Sequence, residues 1–215
     1  MPTIRIIAGI DEAGRGPLAG PVVAAACVLP HPLYRRGRVH PRWSPFEQEP
    51  EKDILIADSK QLTPEERTTA FNWIISHCAF GIGISAHSVI DQKGILAATE
   101  LAMQKAVHQL QACTNPTYLL VDGRDHFWFD LPHSSIIRGD EHEACIAAAS
   151  IIAKVTRDRI MVRSDRVFPG YGFSSHKGYG SVEHIGCIRT LGPCPIHRRT
   201  FCRRIHYAEA SLSPA

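Results

Sequence analysis

The chain opens on short apolar runs broken by glycine and then passes into longer segments with helical spacing. Residues 3–10 form the first apolar run and residues 21–29 a second, nearly continuous one. Short apolar runs bounded by turn residues are the pattern of buried strands. A Gly-rich turn joins the two and predicts antiparallel pairing. Pro21 takes the first position of its strand, where a missing N–H matters least. Residues 31–52 are rich in Pro, Arg, His and Trp without periodicity, which predicts a long surface loop. Thr63, Pro64 and Glu66 have the spacing of an N-cap, a first-position proline and a capping box, and predict a helix running to about His77. Residues 79–87 alternate around Gly81 and Gly83 as a third strand. Residues 94–111 place Leu96, Leu101, Val107 and Leu110 at amphipathic helical spacing. Residues 117–121 and 134–137 read as fourth and fifth strands. Residues 143–168 predict a long helix with small residues at Ala147, Ala148, Ala149 and Ser150. Residues 181–191 predict the last helix.

Strands first, then strands separated by helices, predict a mixed sheet in an α/β domain. The 94–111 helix gives the fourth strand a crossover back beside an earlier one. With 215 residues, 44 % hydrophobic and 21 % charged, the chain has ordinary globular composition. A chain of this length buries roughly 70 % of its unfolded surface, so one domain is expected over 1–215. The formal charge of +3 is compatible with nucleic acid but too small to argue for it. The seven cysteines lie mostly in apolar runs and suit a reducing compartment. No basic-then-apolar leader opens the sequence, and no run reaches membrane-spanning length, so a cytoplasmic protein is expected. Cys194, His197, Cys202 and His206 have spacings that can hold zinc. Pro193 and Pro195 flank Cys194, however, and no Cys-x2-Cys knuckle is present, so these read as core thiols.

The chemistry concentrates at Asp11-Glu12-Ala13-Gly14-Arg15-Gly16. Two adjacent carboxylates repel, and a divalent cation removes that cost. Gly14 and Gly16 let a ligand come close to the backbone, and Arg15 offers a planar fork suited to phosphate. Asp122 ends the fourth strand, and Asp140 follows the fifth near the start of the long helix. If strands one and four are parallel neighbours, Asp11, Glu12, Asp122 and Asp140 converge at the sheet edge where open α/β sheets bind ligands. Such oxygen ligands suit Mg²⁺ or Mn²⁺. Two such ions roughly 4 Å apart can drive phosphodiester hydrolysis. Plainer readings stand beside these: a hairpin with solvated charges for Asp11 and Glu12, a turn at Asp122-Gly123, and a helix-start acid at Asp140. A dinucleotide-binding loop fits poorly, because the glycine spacing is one residue too long and Pro17 and Pro21 intrude.

Taken in order, Asp11 to Gly16, Asp58-Ser59-Lys60, Val121-Asp122-Gly123, Gly139-Asp140, the 147–158 segment from Ala147 to Asp158, His176-Lys177-Gly178-Tyr179-Gly180 and Pro195-Ile196-His197-Arg198 resemble ribonuclease HII, the bacterial type 2 ribonuclease H. The resemblance covers nearly the whole chain. It implies a ribonuclease H-like fold with a five-stranded mixed sheet flanked by helices and a C-terminal helical segment. It implies an endonuclease that cuts the RNA strand of RNA–DNA hybrids and cuts 5′ of single ribonucleotides in duplex DNA, leaving 3′-hydroxyl and 5′-phosphate ends, in ribonucleotide removal. Asp11, Glu12, Asp122 and Asp140 match the family's metal-binding carboxylates, with Mg²⁺ or Mn²⁺ as cofactor. Gly14, Arg15 and Gly16 match the turn that reads the 2′-hydroxyl, the one handle separating RNA from DNA at a single nucleotide. Tyr179 matches the tyrosine that stacks on the next deoxyribose. Ser59 and Lys60 are candidate backbone contacts. Lys154 and Arg157, with Arg198, Arg199, Arg203 and Arg204, are candidate phosphate contacts or a solvated basic face. The 31–52 loop is longer than the family usually has there. A monomer acting on hybrid and ribonucleotide-containing duplex, without membrane association, is expected.

Overall fold

The ladder on either side of the first strand decides where the rest of the molecule can sit. The computed structural model describes residues 6–30, 34–35, 38–39 and 54–206. β1 (Ile7–Ala13) pairs antiparallel with β2 (Val22–Val28), from Gly9 opposite Cys27 to Ala13 opposite Val23. The strand expected to stop at Ile10 therefore runs on through Asp11 and Glu12, because β2 supplies partners that far. The expected start at 3–5 lies outside the described residues. On its other side β1 pairs parallel with β7 (Tyr118–Asp122), and that ladder ends at Ile10 opposite Val121. Asp11 thus stands where one ladder has ended and the other continues.

β6 (Ala79–Ser85) adds antiparallel to β2, and β8 (His133–Ile136) adds parallel to β7. The order β6-β2-β1-β7-β8 is the expected five-stranded mixed sheet. β3 (Tyr34–Arg35), β4 (Arg38–Val39) and β5 (Ile54–Leu55) form a separate antiparallel sheet of three short strands. The loop expected over 31–52 therefore carries two strands. Tyr34, Val39 and Ile54 are good strand formers, and the two-residue connection at 36–37 has hairpin length. The remainder of that loop, 31–33, 36–37 and 40–52, lies outside the described residues.

α1 (Pro64–His77) begins as its capping box predicts. Thr63 Oγ1 accepts from Glu66 N at 3.2 Å, and Glu66 Oε2 accepts from Thr63 N at 2.9 Å. α2 (His87–Lys93) is a helix the periodicity did not reveal. Seven residues give too little repeat, and no side chain caps its start. α3 (Ile95–Gln111) packs Ala98, Ala102, Met103, Ala106 and Leu110 against one face of the sheet. α5 (Ala144–Val167) and α1 cover the other face, with Ala147 to Ala149, Ile151 and Ile152 buried against Ala25, Cys27 and Ile74. α3 lies directly on the edge strand β6: a Cβ at Gly81 would collide with Ala106 O, and one at Gly83 with Ala102 O. Two backbone groups of the edge strand β6 are taken by α3 side chains. Ile82 N donates to Gln109 Oε1 at 2.6 Å, and Lys105 Nζ donates to Ile84 O at 3.0 Å.

α4 (Gly139–His142) connects β8 to α5. Beyond α5 come α6 (Phe173–His176), α7 (Val182–Leu191), capped by Ser181, and α8 (Arg199–Cys202). This C-terminal segment packs around Ala19, Met161, Tyr171 and Phe173. Three backbone bonds stitch it to the turn after β1: Leu18 N to Gly178 O, Gly20 N to Ile196 O, and Arg198 N to Leu18 O. Among the described residues no helix is long and apolar enough to cross a membrane.

Candidate active site

Parallel pairing of β1 and β7 brings their C-terminal ends together, and α4 carries Asp140 to the same place. One carboxylate oxygen from each of Asp11, Asp122 and Asp140 lies within 4.8 Å of the others. Asp11 and Asp140 are buried and Asp122 half-buried. Local bonds aim them. Asp122 Oδ1 accepts from Gly139 N at 2.7 Å, and Asp11 Oδ1 accepts from Glu12 N at 2.7 Å. Burial pushes the Asp11 carboxyl well above the usual carboxylate range, and Glu12 and Asp122 push it further, while Ser150 opposes them. Asp140 is raised by burial and by Asp122 and Asp58, against Lys60. Carboxylates whose shared proximity disfavours ionisation gain most from a cation placed between them.

Glu12 stands beside this triplet. Its Oε1 is 3.3 Å from Arg15 Nη1, and its buried Oε2 has no hydrogen-bond partner among the described residues. An orphaned buried carboxylate oxygen at the rim of three converging aspartates is the donor set a hard divalent cation requires. Lys60 reaches in from the surface, with Nζ 3.4 Å from Asp140 and 3.9 Å from Asp58. Arg15 is also held by Asp125 at 2.7 Å. Nothing in the sequence pairs these two, which are 110 residues apart.

Ser59, expected as a substrate contact, is buried and shares a 2.9 Å hydrogen bond with Ser150. Its hydroxyl belongs to the packing behind Asp11. Arg157 and Arg198, expected on phosphate or in solvent, are fully buried. Arg198 donates to the carbonyls of Gly14 (2.6 Å), Arg15 (2.9 Å), Gly20 (3.0 Å) and Pro21 (3.2 Å). Arg157 donates to Ala19 O and Pro21 O, both at 3.1 Å. The two guanidiniums fold the Gly14–Pro21 turn around themselves because its carbonyls are their acceptors. Gly14 has φ +101°, and a Cβ there would collide with the Arg157 side chain; a Cβ at Gly16 would meet nothing. The signal for Arg157 was present: with Ala149, Ala153 and Met161 it forms an i, i+4 row on the buried face of α5.

Tyr179 is 43 % exposed, with the Arg157 guanidinium 5.5 Å and Lys154 Nζ 5.8 Å from its ring centre. Lys154 also pairs with Asp158 at 2.9 Å. Among the described residues Cys194 and His197 join no metal-holding group. His197 Nδ1 faces Cys194, and its Nε2 faces His184 at 3.0 Å. All seven cysteines are free.

A family model described as Ribonuclease HII matches residues 8–35 and 46–210. The Ribonuclease HII of Geobacter metallireducens is 48 % identical over 197 residues, spanning 91 % of this chain and 83 % of the relative. Among solved structures, the ribonuclease H2 of Pyrococcus horikoshii OT3 aligns with a TM-score of 0.68 at 26 % identity, covering 93 % of this chain and 96 % of that one. Bst-RNase HIII in complex with Mn²⁺ shares the fold at a TM-score of 0.60 and 18 % identity, over 87 % of this chain and 63 % of that one.

Proposed function

The chain belongs to the ribonuclease HII family, metal-dependent ribonucleases acting on the RNA of RNA–DNA hybrids, and we propose that Asp11, Glu12, Asp122 and Asp140 carry its reaction. The observation that supports this is the approach of three aspartate oxygens to within 4.8 Å at the ends of β1 and β7. These carboxylates would hold Mg²⁺ or Mn²⁺, and the Mn²⁺ complex of Bst-RNase HIII supports that choice for this fold. When bound, the cation supplies positive charge against the charge that builds on phosphate and makes water easier to deprotonate.

The substrate is a ribonucleotide within duplex, either in an RNA strand paired with DNA or alone in a DNA strand. In the cut, a water oxygen bonds to phosphorus and the bond from phosphorus to the upstream O3′ breaks. The ends are a 3′-hydroxyl and a 5′-phosphate on the ribonucleotide, as ribonucleotide removal from DNA needs. The Gly14, Arg15 and Gly16 turn, exposed at Gly16, reads the 2′-hydroxyl, and the exposed Tyr179 ring packs on the following deoxyribose, which lacks one. Arg15, held by Glu12 and Asp125, and Lys60, held by Asp140 and Asp58, line the rim on the substrate side. Lys154 lies beside Tyr179 and faces the same strand. Ser59 acts indirectly, through Ser150. α5 contributes to two of the hydrophobic clusters, which supports a single catalytic domain, and we read that domain as a monomer in the cytoplasm.

The test is cleavage of a labelled DNA duplex containing one ribonucleotide, with Mg²⁺, with Mn²⁺ and with chelator, beside an all-DNA duplex. A metal-dependent cut just 5′ of the ribonucleotide is expected. Equal cutting of the all-DNA duplex would overturn the ribonucleotide reading.

A further inference from the structure

Three neutral-capable histidines surround the main chain of Tyr179. His176 Nδ1 accepts from Gly178 N at 3.1 Å, and His176 Nε2 donates to Tyr171 O at 2.7 Å. His184 lies stacked on His176, with ring centres 4.3 Å apart, and its Nδ1 is 2.8 Å from Tyr179 O. His184 Nε2 meets His197 Nε2 at 3.0 Å, and His197 Nδ1 faces Cys194 N at 2.9 Å. His184 and His197 are buried, and Phe173 packs against both rings.

The hydrogen-bond role at the Tyr179 end of this row is fixed by its partner, and the role at the Cys194 end by the cost of a buried charge. A carbonyl only accepts, so His184 Nδ1 carries a proton toward Tyr179 O. His197 Nδ1 lies 2.9 Å from Cys194 N, which only donates, and also 3.2 Å from Cys194 O and 3.1 Å from Cys194 Sγ, so a bare Nδ1 is the form that spares His184 a buried charge. With one proton per ring, His197 Nε2 is then the donor and His184 Nε2 the acceptor. The whole row runs one way: Cys194 N–H to His197, His197 to His184, His184 to the Tyr179 carbonyl. Were the His197 proton on Nδ1 instead, the contact between the rings would survive only with His184 doubly protonated, a buried cation with no carboxylate among its hydrogen-bond partners.

From this row we infer that His184 and His197 are positioning residues for Tyr179, fixing the tyrosine's main chain so that its ring meets the sugar at the junction. The inference rests on the proposed role of Tyr179 at the deoxyribose. The ring itself is 43 % exposed and has cations rather than a packed wall near it, so its place depends on its backbone. Gly178 N, Gly178 O and Tyr179 N are held by His176 Nδ1, Leu18 N and His176 O, and Tyr179 O by His184 Nδ1 together with Ser181 N, both at 2.8 Å. Anchoring a reading residue through its neighbours is worth large factors when a displacement of about 1 Å can cost 10²-fold.

Two substitutions at one position separate this role from packing. The Nδ2 of H184N stands where His184 Nδ1 donates to Tyr179 O. The amide of H184Q reaches the Nε2 position and leaves that carbonyl with the Ser181 N–H in place of two donors. The preference is read as kcat/KM on a duplex with one ribonucleotide over kcat/KM on a uniform RNA–DNA hybrid, for the full chain, H184N, H184Q and Y179A. Expected is a preference roughly tenfold lower in Y179A and H184Q and kept within about threefold in H184N. Equal losses in H184N and H184Q, with Y179A reduced, would overturn the positioning role alone. An unchanged preference in Y179A would overturn the junction reading of Tyr179 and this inference with it. Should the variants fail to fold, ¹⁵N chemical shifts of the histidine rings in the unaltered protein decide. A proton on His184 Nδ1 and on His197 Nε2 is expected, and the opposite tautomers would overturn the row.

Discussion

Two clusters of like charge are buried on either side of the turn after β1, and they are resolved in different ways. On one side Asp11, Asp122 and Asp140 bring carboxylate oxygens within 4.8 Å, and the nearby cations come in from the rim, Lys60 to Asp140 and Arg15 to Glu12 beside them. On the other side Arg157 and Arg198 are fully buried, with backbone carbonyls of the turn as their acceptors. Burial first and the neighbouring Arg157 next push Arg198 down to about 9. Arg198 is satisfied from within the chain, because carbonyl dipoles converge on it, and Arg157 finds carbonyls for Nε and Nη2 while its Nη1 has no partner among the described residues. The aspartates are left to be satisfied from outside. Like charge in the interior thus marks a scaffold where the backbone completes the bonds and a binding site where it does not.

If that distinction holds, neutralising one cluster harms activity and breaking the other harms stability. The largest effect is expected for Asp122→Asn. Its amide oxygen can still accept from Gly139 N, but the ligand charge is gone. Cleavage should fall by about 4 kcal/mol in barrier, roughly a thousandfold. The thermal midpoint without metal should hold or rise, since repulsion is relieved, and the rise on adding Mn²⁺ should shrink. Single-turnover kinetics and thermal melts check both halves. Arg198→Met strips the side-chain donor from the carbonyls of Gly14, Arg15 and Gly20, while Pro21 O keeps Arg157, and at about 1–3 kcal/mol per buried group left unsatisfied a loss of at least about 3 kcal/mol is expected in urea unfolding. A loss below 1 kcal/mol would erase the contrast.

Gly14 and Gly16 offer a smaller, sharper test two residues apart. Gly14→Ala must adopt φ +101° and displace Arg157, at a cost of about 2 kcal/mol or more. Gly16→Ala meets open space and should stay within about 0.5 kcal/mol in stability, so any loss of ribonucleotide preference there reads the substrate directly.

The pH dependence of stability follows from His197, which burial first and His184 next hold down to about 4. Its value in an unfolded chain is about 6.5. Between the two the unfolded state binds the extra proton, so stability falls as pH drops through that window. The slope reaches up to about 1.4 kcal/mol per pH unit for one proton. Urea midpoints taken from pH 7 to pH 4.5 check this, and His197→Gln should flatten the slope.

The sequence made the acidic site legible because strands end where pattern changes. Asp11 and Asp122 follow apolar runs whose parallel pairing could be reasoned from the intervening helix, and the ladder between Ile10 and Val121 bears that out. Arg157 could have been found as well, since its spacing from Ala149, Ala153 and Met161 puts it on the buried row of α5. Arg198 and Asp125 could not. Their partners are about 180 and 110 residues away in the chain, and no local period records such a contact. α2, α4, α6 and α8 escaped for a different reason: seven or four residues complete too few turns to show a period.

The contact between β6 and α3 bears on how this protein behaves in a crowded solution. Exposed sheet edges recruit strands from other molecules. Here an incoming chain would first have to pull Gln109 off Ile82 N and Lys105 off Ile84 O, and would then meet a helix lying against two residues without side chains. The same glycines that bring α3 close are what let those two side chains reach the rim. Concentrated preparations should therefore resist strand-exchange aggregation along β6, and a chain carrying both Lys105→Ala and Gln109→Ala should lose that resistance while its carboxylate cluster, at the far side of β1, stays as it was.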